Sequence, residues 1–202
     1  MTMGRPRTVS DEEILAATAR AISRVGPDRL TLAAVAAEAN LAAATLVQRF
    51  GSKRGLLLAF SGRASGEPAA RFAAARARHA SPLAAVRAGL VGMASGIGTP
   101  EELANHLAFL HLELIDPEFH RHTLGHANAM LEQIRALLAA AVDSGELAPC
   151  DLTQLARSVY ITYNGALVSW AILRKGTLTR WLARELDLLL APHRAPLENP
   201  LE

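Results

Sequence analysis

The sequence predicts an all-α protein with an N-terminal three-helix helix-turn-helix domain and a larger C-terminal helical domain. Half of the 202 residues are hydrophobic, alanine and leucine dominate, and aromatic residues make up only 4%. That bias favours helix over strand. Helix-capping signals recur along the chain, whereas no segment alternates apolar and polar residues as a half-buried strand does. We place the boundary between the domains after residue 55, which gives the ranges 1–55 and 56–202.

The first helix begins at a capping box formed by Ser10 and Glu13, in which each side chain accepts a hydrogen bond from the other residue's backbone N–H. Apolar side chains then recur at helical spacing over residues 14–25. Gly26 and Pro27 are typical helix-ending residues. The sequence therefore predicts a helix that ends at this pair.

Two shorter helices follow, joined by a tight turn. Thr31 caps the first of them, which covers about 32–38. Asn40 can take the left-handed backbone conformation that the turn needs. The second short helix covers about 42–49.

The remaining helices are predicted from their caps and from helix-breaking residues. Ser52 caps a fourth helix, which Gly62, Gly66 and Pro68 weaken or kink. Later helix starts are marked by serine, threonine or aspartate before proline, and by Asp151. The later predicted helices cover about 82–95, 100–115, 117–143, 152–174 and 178–190.

Charge is distributed unevenly along the chain. Residues 1–80 contain 12 Lys/Arg against 6 Asp/Glu, a net charge of +6, and residues 81–202 contain 9 against 13, a net charge of −4. A basic N-terminal part suggests that this end faces a polyanion. No apolar run approaches the ~18 residues of a membrane span, and no signal peptide is present. We therefore expect a cytoplasmic protein with no membrane partner.

A longer helix followed by two short ones is the layout of a helix-turn-helix module, whose second short helix enters the DNA major groove. The side chains of that helix predicted to contact DNA are Ala43, Thr45, Gln48 and Arg49. Gln48 suits adenine, and Arg49 suits guanine or a phosphate. Charge and free backbone amides at a helix N-terminus can meet a phosphate. Further DNA contacts are predicted for Thr31, Lys53, Arg54 and, in a basic N-terminal arm, Arg5 and Arg7.

The segment ILAATARAISRVGPDRLTLAAVAAEANLAAATLVQRFGSKRGLL resembles the DNA-binding domain of the TetR family of regulators. The resemblance covers about 45 residues without gaps. It includes Ala17, Gly26, Thr31, Val35, Ala36, Leu41, Leu46, Phe50, Ser52, Lys53 and Leu57. The family commonly has Gly, Ser, Gly and Tyr where this chain has Asn40, Ala42, Ala44 and Val47. The fold is therefore better supported than the set of DNA contacts.

The resemblance also implies a homodimer formed through the last two long helices, a roughly palindromic double-stranded DNA operator, and a C-terminal cavity for a small-molecule effector that weakens DNA binding. The residues themselves agree with the dimer, because the segments 152–174 and 178–190 are apolar over more than one face. A mostly apolar cavity with a few polar groups is typical of small-molecule sites. The residues predicted to line it are Met93, His106, Phe109, Met130, Tyr160, Tyr163 and Asn164.

The sequence also bears on catalysis, on loss of DNA binding and on metal sensing. Because the sequence has no nucleophile elbow, phosphate loop or HExxH helix, we expect no enzyme and no cofactor. A helical small-molecule-binding protein or enzyme that has lost DNA binding is the alternative favoured by Ala42, Ala44 and Val47. His120, His122 and His126 raise the question of a metal sensor, since two of them have i, i+4 spacing, but no carboxylate or thiol clearly completes the set. The sequence predicts no metal site.

Overall fold

The structure is a computed structural model that describes residues 9–64 and 66–195. The predicted arm residues Arg5 and Arg7 lie outside the described residues. Over the described ranges the chain is helical, without a strand, apart from one isolated bridge between Leu147 and Arg194. The prediction of an all-α fold is confirmed.

Ten α-helices cover the described ranges, with a short 3₁₀ turn at Ala191–His193 after the last of them. They are α1 Asp11–Arg29, α2 Leu32–Glu38, α3 Ala43–Phe50, α4 Lys53–Ala64, α5 Glu67–Arg78, α6 Pro82–Met93, α7 Pro100–Ile115, α8 Pro117–Asp143, α9 Leu152–Leu173 and α10 Leu178–Leu190. No helix in this part of the chain is long and apolar enough to cross a membrane.

The helix starts lie where the capping residues predict them. Ser10 and Glu13 form the complete capping box, with hydrogen bonds of 3.2 Å and 2.8 Å to each other's backbone N–H. Asp151 accepts from two backbone N–H groups in the first turn of α9, each at 3.0 Å. Thr31, Ser81 and Thr99 accept in the same way. These local bonds satisfy N–H groups that the helix itself leaves unpaired.

Two predicted boundaries differ from the structure. Gly26 leaves helical geometry with φ of 74°, but the chain resumes a short helical turn that runs to Arg29. The predicted fourth helix is two helices rather than one kinked helix, because α4 ends at Ala64 and α5 begins at Glu67. Pro68 lies in the first turn of α5, where its missing N–H costs nothing.

The chain divides into two compact units, each with its own core. Of the described residues, the first comprises 9–63 and 104–122, and the second comprises 64, 66–103 and 123–195. Buried side chains of the first unit include Ile14, Ile22, Val35, Leu46, Leu56, Phe109 and Phe119. Buried side chains of the second include Phe72, Leu90, Met130, Leu138, Val159, Leu182 and Leu186. The division at residue 55 remains a prediction about function.

Candidate nucleic-acid interface

Helix α3 is fixed on the first unit by a single deeply buried side chain. Leu46 has no exposed surface, and Val35 of α2 and Ile22 of α1 are equally buried in the same core. Because successive residues of a helix are turned by about 100°, anchoring Leu46 points Ala44 and Gln48 in the opposite direction. Both of these residues are exposed. The α3 face opposite the core is therefore available to a partner.

The turn between α2 and α3 has the backbone geometry predicted for Asn40. This residue has φ of 55°, in the left-handed region. The Leu41 backbone N–H donates to the Ala36 carbonyl at 2.8 Å and closes the end of α2. Ala42 is the N-cap residue of α3 and makes no side-chain cap hydrogen bond. The turn fixes the direction of α3, although the family's usual serine is missing from its start.

Thr31, the N-cap of α2, and Arg49 of α3 are both predicted to contact DNA, and their side chains have different partners. The Thr31 hydroxyl accepts from the Ala34 backbone N–H at 3.1 Å, which leaves its own proton for a phosphate. Arg49 is drawn to the start of α1, where its guanidinium lies 2.8 Å from the Asp11 carboxylate and donates to the Val9 carbonyl at 2.6 Å. Arg49 therefore does not lie free on the outward face of α3.

Lys53 and Arg54 begin α4, and both are engaged with the protein. Lys53 Nζ donates to the Asp28 carbonyl at the end of α1, at 3.1 Å. Arg54 pairs with Asp116 at 2.8 Å and with Glu118 at 2.6 Å, and its guanidinium lies 5.5 Å from the centre of the Phe119 ring. The expected phosphate contacts of these two side chains stay predictions, and the Arg54 contact requires competition with two carboxylates.

A tertiary hydrogen bond that the sequence did not predict completes the end of α1. Pro27 has no N–H, so the Ser23 carbonyl one turn before it lacks its usual helical partner. The Asn105 side-chain amide of α7 donates to this carbonyl at 2.7 Å. A Cβ atom added to Gly26 would lie 2.8 Å from Asn105 Oδ1. Glycine is favoured here by its positive φ, and the Asn105 side chain would have to shift to make room for a Cβ atom.

Electrostatics at the start of α8 stabilise the charged forms of Arg54 and Asp116. The hydrogen bond from Arg54 holds the pKa of the Asp116 carboxyl below its usual range, and backbone N–H groups of Glu118 and Phe119 add to this effect. The hydrogen bonds to Asp116 and Glu118 raise the pKa of Arg54. Asp116 Oδ1 also accepts from the Glu118 N–H at 2.9 Å, so one carboxylate both caps α8 and binds Arg54.

We expect Asp116→Asn to remove one acid-sensitive contribution to stability. Because the folded-state pKa of Asp116 is depressed, its contribution is fully present above the unfolded value near 3.8 and is lost as pH falls through the lower folded value. The difference in free energy of unfolding between wild type and variant should be constant above about pH 5 and shrink below pH 4. Denaturant melts from pH 2 to 7 measure it. Asparagine retains the cap, so a pH-independent difference would contradict the assigned ion pair.

The seven predicted effector-binding residues are divided between the two units. His106 and Phe109 belong to the first, where Phe109 packs edge-to-face against Phe60 and Phe119 with ring centres 5.4 Å and 6.1 Å apart. The other five belong to the second: Met93, Met130, Tyr160, Tyr163 and Asn164. Nothing in the structure tests them as ligand contacts.

Within the second unit these five side chains differ in exposure. Met130 and Tyr163 are buried, Met93 and Tyr160 are half-buried, and Asn164 is exposed. Burial raises the pKa of the Tyr163 phenol, with smaller contributions from Tyr160 and Glu67, so this side chain is a neutral hydrogen-bonding group. The Asn164 amide donates to the Tyr160 carbonyl at 2.9 Å.

An open groove also lies in the second unit, with a cavity volume of about 1110 Å³. Its walls include Ser81, Leu83, Arg87, Glu146, Asp187 and Leu190. Arg87 and Asp187 form an ion pair of 3.0 Å across it. None of the predicted effector-binding residues lines this groove.

His120 and His126, in the histidine-rich start of α8, lie in different surroundings. His120 is exposed, and His126 Nδ1 lies 2.8 Å from the Ala64 carbonyl, where it completes the end of α4. Among residues 9–64 and 66–195, no three His, Cys, Asp or Glu side chains are placed to hold a metal ion. The metal-sensor interpretation gains no support from this geometry.

The helix-turn-helix arrangement of α1 to α3 agrees with a match to a protein family. Residues 14–60 match the family of bacterial regulatory proteins called the tetR family. The N-terminal segment of the chain is therefore similar to the tetR family over these residues. The TetR match includes α2, the turn at Asn40, α3 and most of α4. No curated protein sequence matches the chain with significance.

Solved structures of transcriptional regulators share the fold of almost the whole chain. SmeT, the repressor of a Stenotrophomonas maltophilia multidrug efflux pump, is 21% identical with a TM-score of 0.64, covering 96% of this chain and 98% of SmeT. FadR of Bacillus subtilis, solved with stearoyl-CoA, is 17% identical with a TM-score of 0.67, covering 90% and 98%. A TetR regulator of Haloarcula marismortui is 19% identical with a TM-score of 0.69, covering 91% and 97%. At these identities the likeness establishes the fold.

Proposed function

We propose that this protein is a DNA-binding transcriptional regulator, and specifically a repressor that a small-molecule effector releases from its operator. The observation that carries the proposal is the exposed face of α3, presented by a helix-turn-helix within a TetR-family segment. Such a helix is long enough to enter the major groove and contact base edges. A regulator of this kind acts where its DNA is, so we place it in the cytoplasm, and we assign it no catalytic activity.

The proposed DNA contacts combine base reading by α3 with phosphate binding around it. Thr45 and Gln48 lie on or beside the outward face of α3, and Ala43 lies near its start. Thr31 and Lys53 lie at the starts of α2 and α4, where backbone amides and side chains reach a phosphate. Arg54 and Arg49 also contact DNA once a phosphate replaces their carboxylate partners. Arg5 and Arg7 follow the DNA backbone or the minor groove.

A homodimer on a roughly palindromic operator is part of the proposal. Helix α9 exposes Ile161, Val168 and Ile172 in one row at helical spacing, and Ile161 and Ile172 are 61% and 73% exposed. Leu188 of α10 is also exposed, at 57%. An apolar row of this kind on a helix is best covered by another copy of the same surface. Two α3 helices related by a two-fold axis then contact two half-sites.

A small-molecule effector is proposed from two bound complexes among the structural relatives. SmeT is known in complex with triclosan, and FadR of Bacillus subtilis in complex with stearoyl-CoA. Met93, Met130, Tyr160 and Tyr163 offer apolar and phenolic groups in the second unit of this chain. An effector that binds the DNA-free form more tightly shifts the population away from the operator-bound form.

Selection of bound duplexes from a random DNA pool tests this function. We expect a palindromic sequence to be enriched, with a dissociation constant well below that for unrelated DNA at the same salt. Repeating the selection with mixtures of apolar metabolites identifies conditions that release the DNA. If no duplex is enriched, the chain is instead a helical small-molecule-binding protein that has lost DNA binding.

Two substitutions separate phosphate binding from base reading. Lys53→Ala should weaken binding to all duplexes by a similar factor and lower the salt dependence by about one charge, because its contact carries no sequence information. Gln48→Ala should change the selected base at one position of each half-site, since its amide suits adenine. Selection with each variant measures both effects. An unchanged selected sequence for Gln48→Ala would remove Gln48 from the base-reading set.

A further inference from the structure

The outward face of α3 consists largely of methyl groups. Ala44 and Gln48 lie one helical turn apart, directly opposite the buried Leu46. Val47 lies beside them with 48% of its surface exposed, although a valine is normally drawn into a core. Thr45 borders the other edge with a further methyl group and a hydroxyl. The one strong hydrogen-bonding group at the centre of this face is the Gln48 amide.

The cation of α3 is directed away from this face. Arg49 is the only charged residue of the helix. Its guanidinium is bound by Asp11 and the Val9 carbonyl, and 27% of its side chain is exposed. Two charge-compensating bonds must break before Arg49 can reach a base edge. The base-reading face is therefore left without the arginine or lysine that most often recognises guanine.

The base edges in the major groove differ in the groups that such a face can contact. Guanine offers two acceptors, which suit arginine or lysine, and adenine offers an acceptor and a donor, which suit a glutamine amide. Thymine adds a 5-methyl group, which apolar side chains contact. We propose that α3 reads A·T base pairs, with Gln48 on adenine and the Ala44 and Val47 methyl groups against thymine 5-methyl groups. This inference rests on the proposed DNA-binding function and specifies which bases it recognises.

Replacing thymine by deoxyuridine in the selected operator tests the inference, because this change removes the methyl group and leaves every hydrogen-bonding group in place. Burying one methyl group contributes ~0.8 kcal/mol, an affinity change of about four-fold. We expect a loss of affinity of about four-fold when deoxyuridine replaces one contacted thymine. The loss should be about fifteen-fold when the same thymine is replaced in both half-sites of a dimer. Measurements use the full chain at one fixed salt concentration.

A variant assigns the effect to the protein methyl groups. Deoxyuridine at the thymine next to Val47 should cost the Val47→Ala variant less affinity than it costs the wild type, or none. The reason is that the variant lacks the valine methyl groups that contact the thymine methyl group. Because 48% of the Val47 surface is exposed, shortening it should leave the core intact. Leu114→Ala, at an exposed apolar position of α7 outside the DNA contacts, should retain the full loss of affinity. Sequence-specific binding that ignores deoxyuridine, or an operator whose contacted pairs are G·C, would overturn this inference and leave the proposed function intact. Failure to select any duplex would overturn both.

Discussion

Gly55→Ala should unfold the junction between α3 and α4 and abolish sequence-specific DNA binding. A Cβ atom added at Gly55 would lie well under 3.0 Å from the Phe50 carbonyl oxygen, which belongs to the last residue of α3. A backbone atom cannot rotate away as a side chain does, so α3 itself must shift. We expect the free energy of unfolding to fall by about 3 kcal/mol, the upper end of usual overpacking costs, despite alanine's better helix propensity.

Gly92→Ala is the matched control for this prediction. Gly92 is also a helical glycine, in α6, but a Cβ atom there would meet nothing within 4 Å. That variant should keep wild-type DNA affinity, with stability unchanged or raised by up to ~1 kcal/mol. Denaturant unfolding and gel-shift titration of both variants make the comparison. Wild-type stability and affinity of Gly55→Ala would show that the α3 position is not constrained by this contact.

The helix boundaries could be predicted from the sequence because capping is local. Ser10 and Glu13 are three residues apart, and their hydrogen bonds form whenever the chain enters a helix there. The left-handed conformation of Asn40 is local in the same sense. Caps and turns of this kind can be predicted without knowing which residues pack against them. The break between α4 and α5 was only partly anticipated, since glycine and proline predict a disturbance but not whether a kink or a break results.

The contacts of the site residues depend on tertiary structure and were not predictable. A cation at the start of α4 is locally unfavourable and needs an anion, but the sequence does not say which one. In this structure Arg54 pairs with Asp116, 62 residues away, and its phosphate contact stays a prediction. Asn105 reaches Ser23 across 82 residues in the same way. The sequence does indicate that such a bond is needed. Pro27 has no N–H, so the Ser23 carbonyl one turn earlier must accept from another donor.

The residues predicted to bind the effector also depend on tertiary structure. An apolar side chain on an amphipathic helix has the same sequence pattern whether it fills a core or lines a cavity. Met130 is 1% exposed and belongs to the core of the second unit, whereas Asn164 of the same predicted set is exposed. Tyr160 and Asn164 show a further local effect, since at helical spacing the Asn164 amide donates to the Tyr160 backbone carbonyl.

Ile172→Glu should convert the proposed dimer to a monomer and weaken operator binding by a hundred-fold or more. Ile172 is 73% exposed and lies in the apolar row on α9, so glutamate there is tolerated by the single chain but places a charge in the dimer contact. A monomer contacts one half-site, and loss of the second contact removes an avidity of about 10² to 10⁴. Sedimentation equilibrium and gel-shift titration measure the two effects.

Leu114→Glu provides the control, because Leu114 is 59% exposed but lies on α7, outside the proposed dimer face. It introduces the same charge at a similarly exposed apolar position, so it should leave both the dimer and the operator affinity unchanged. Glutamate at Ile161, in the same row on α9, should reproduce the effect of Ile172→Glu. A dimer that survives both α9 substitutions would place the contact elsewhere on the surface. Monomers that keep wild-type operator affinity would instead show that DNA recognition does not depend on pairing.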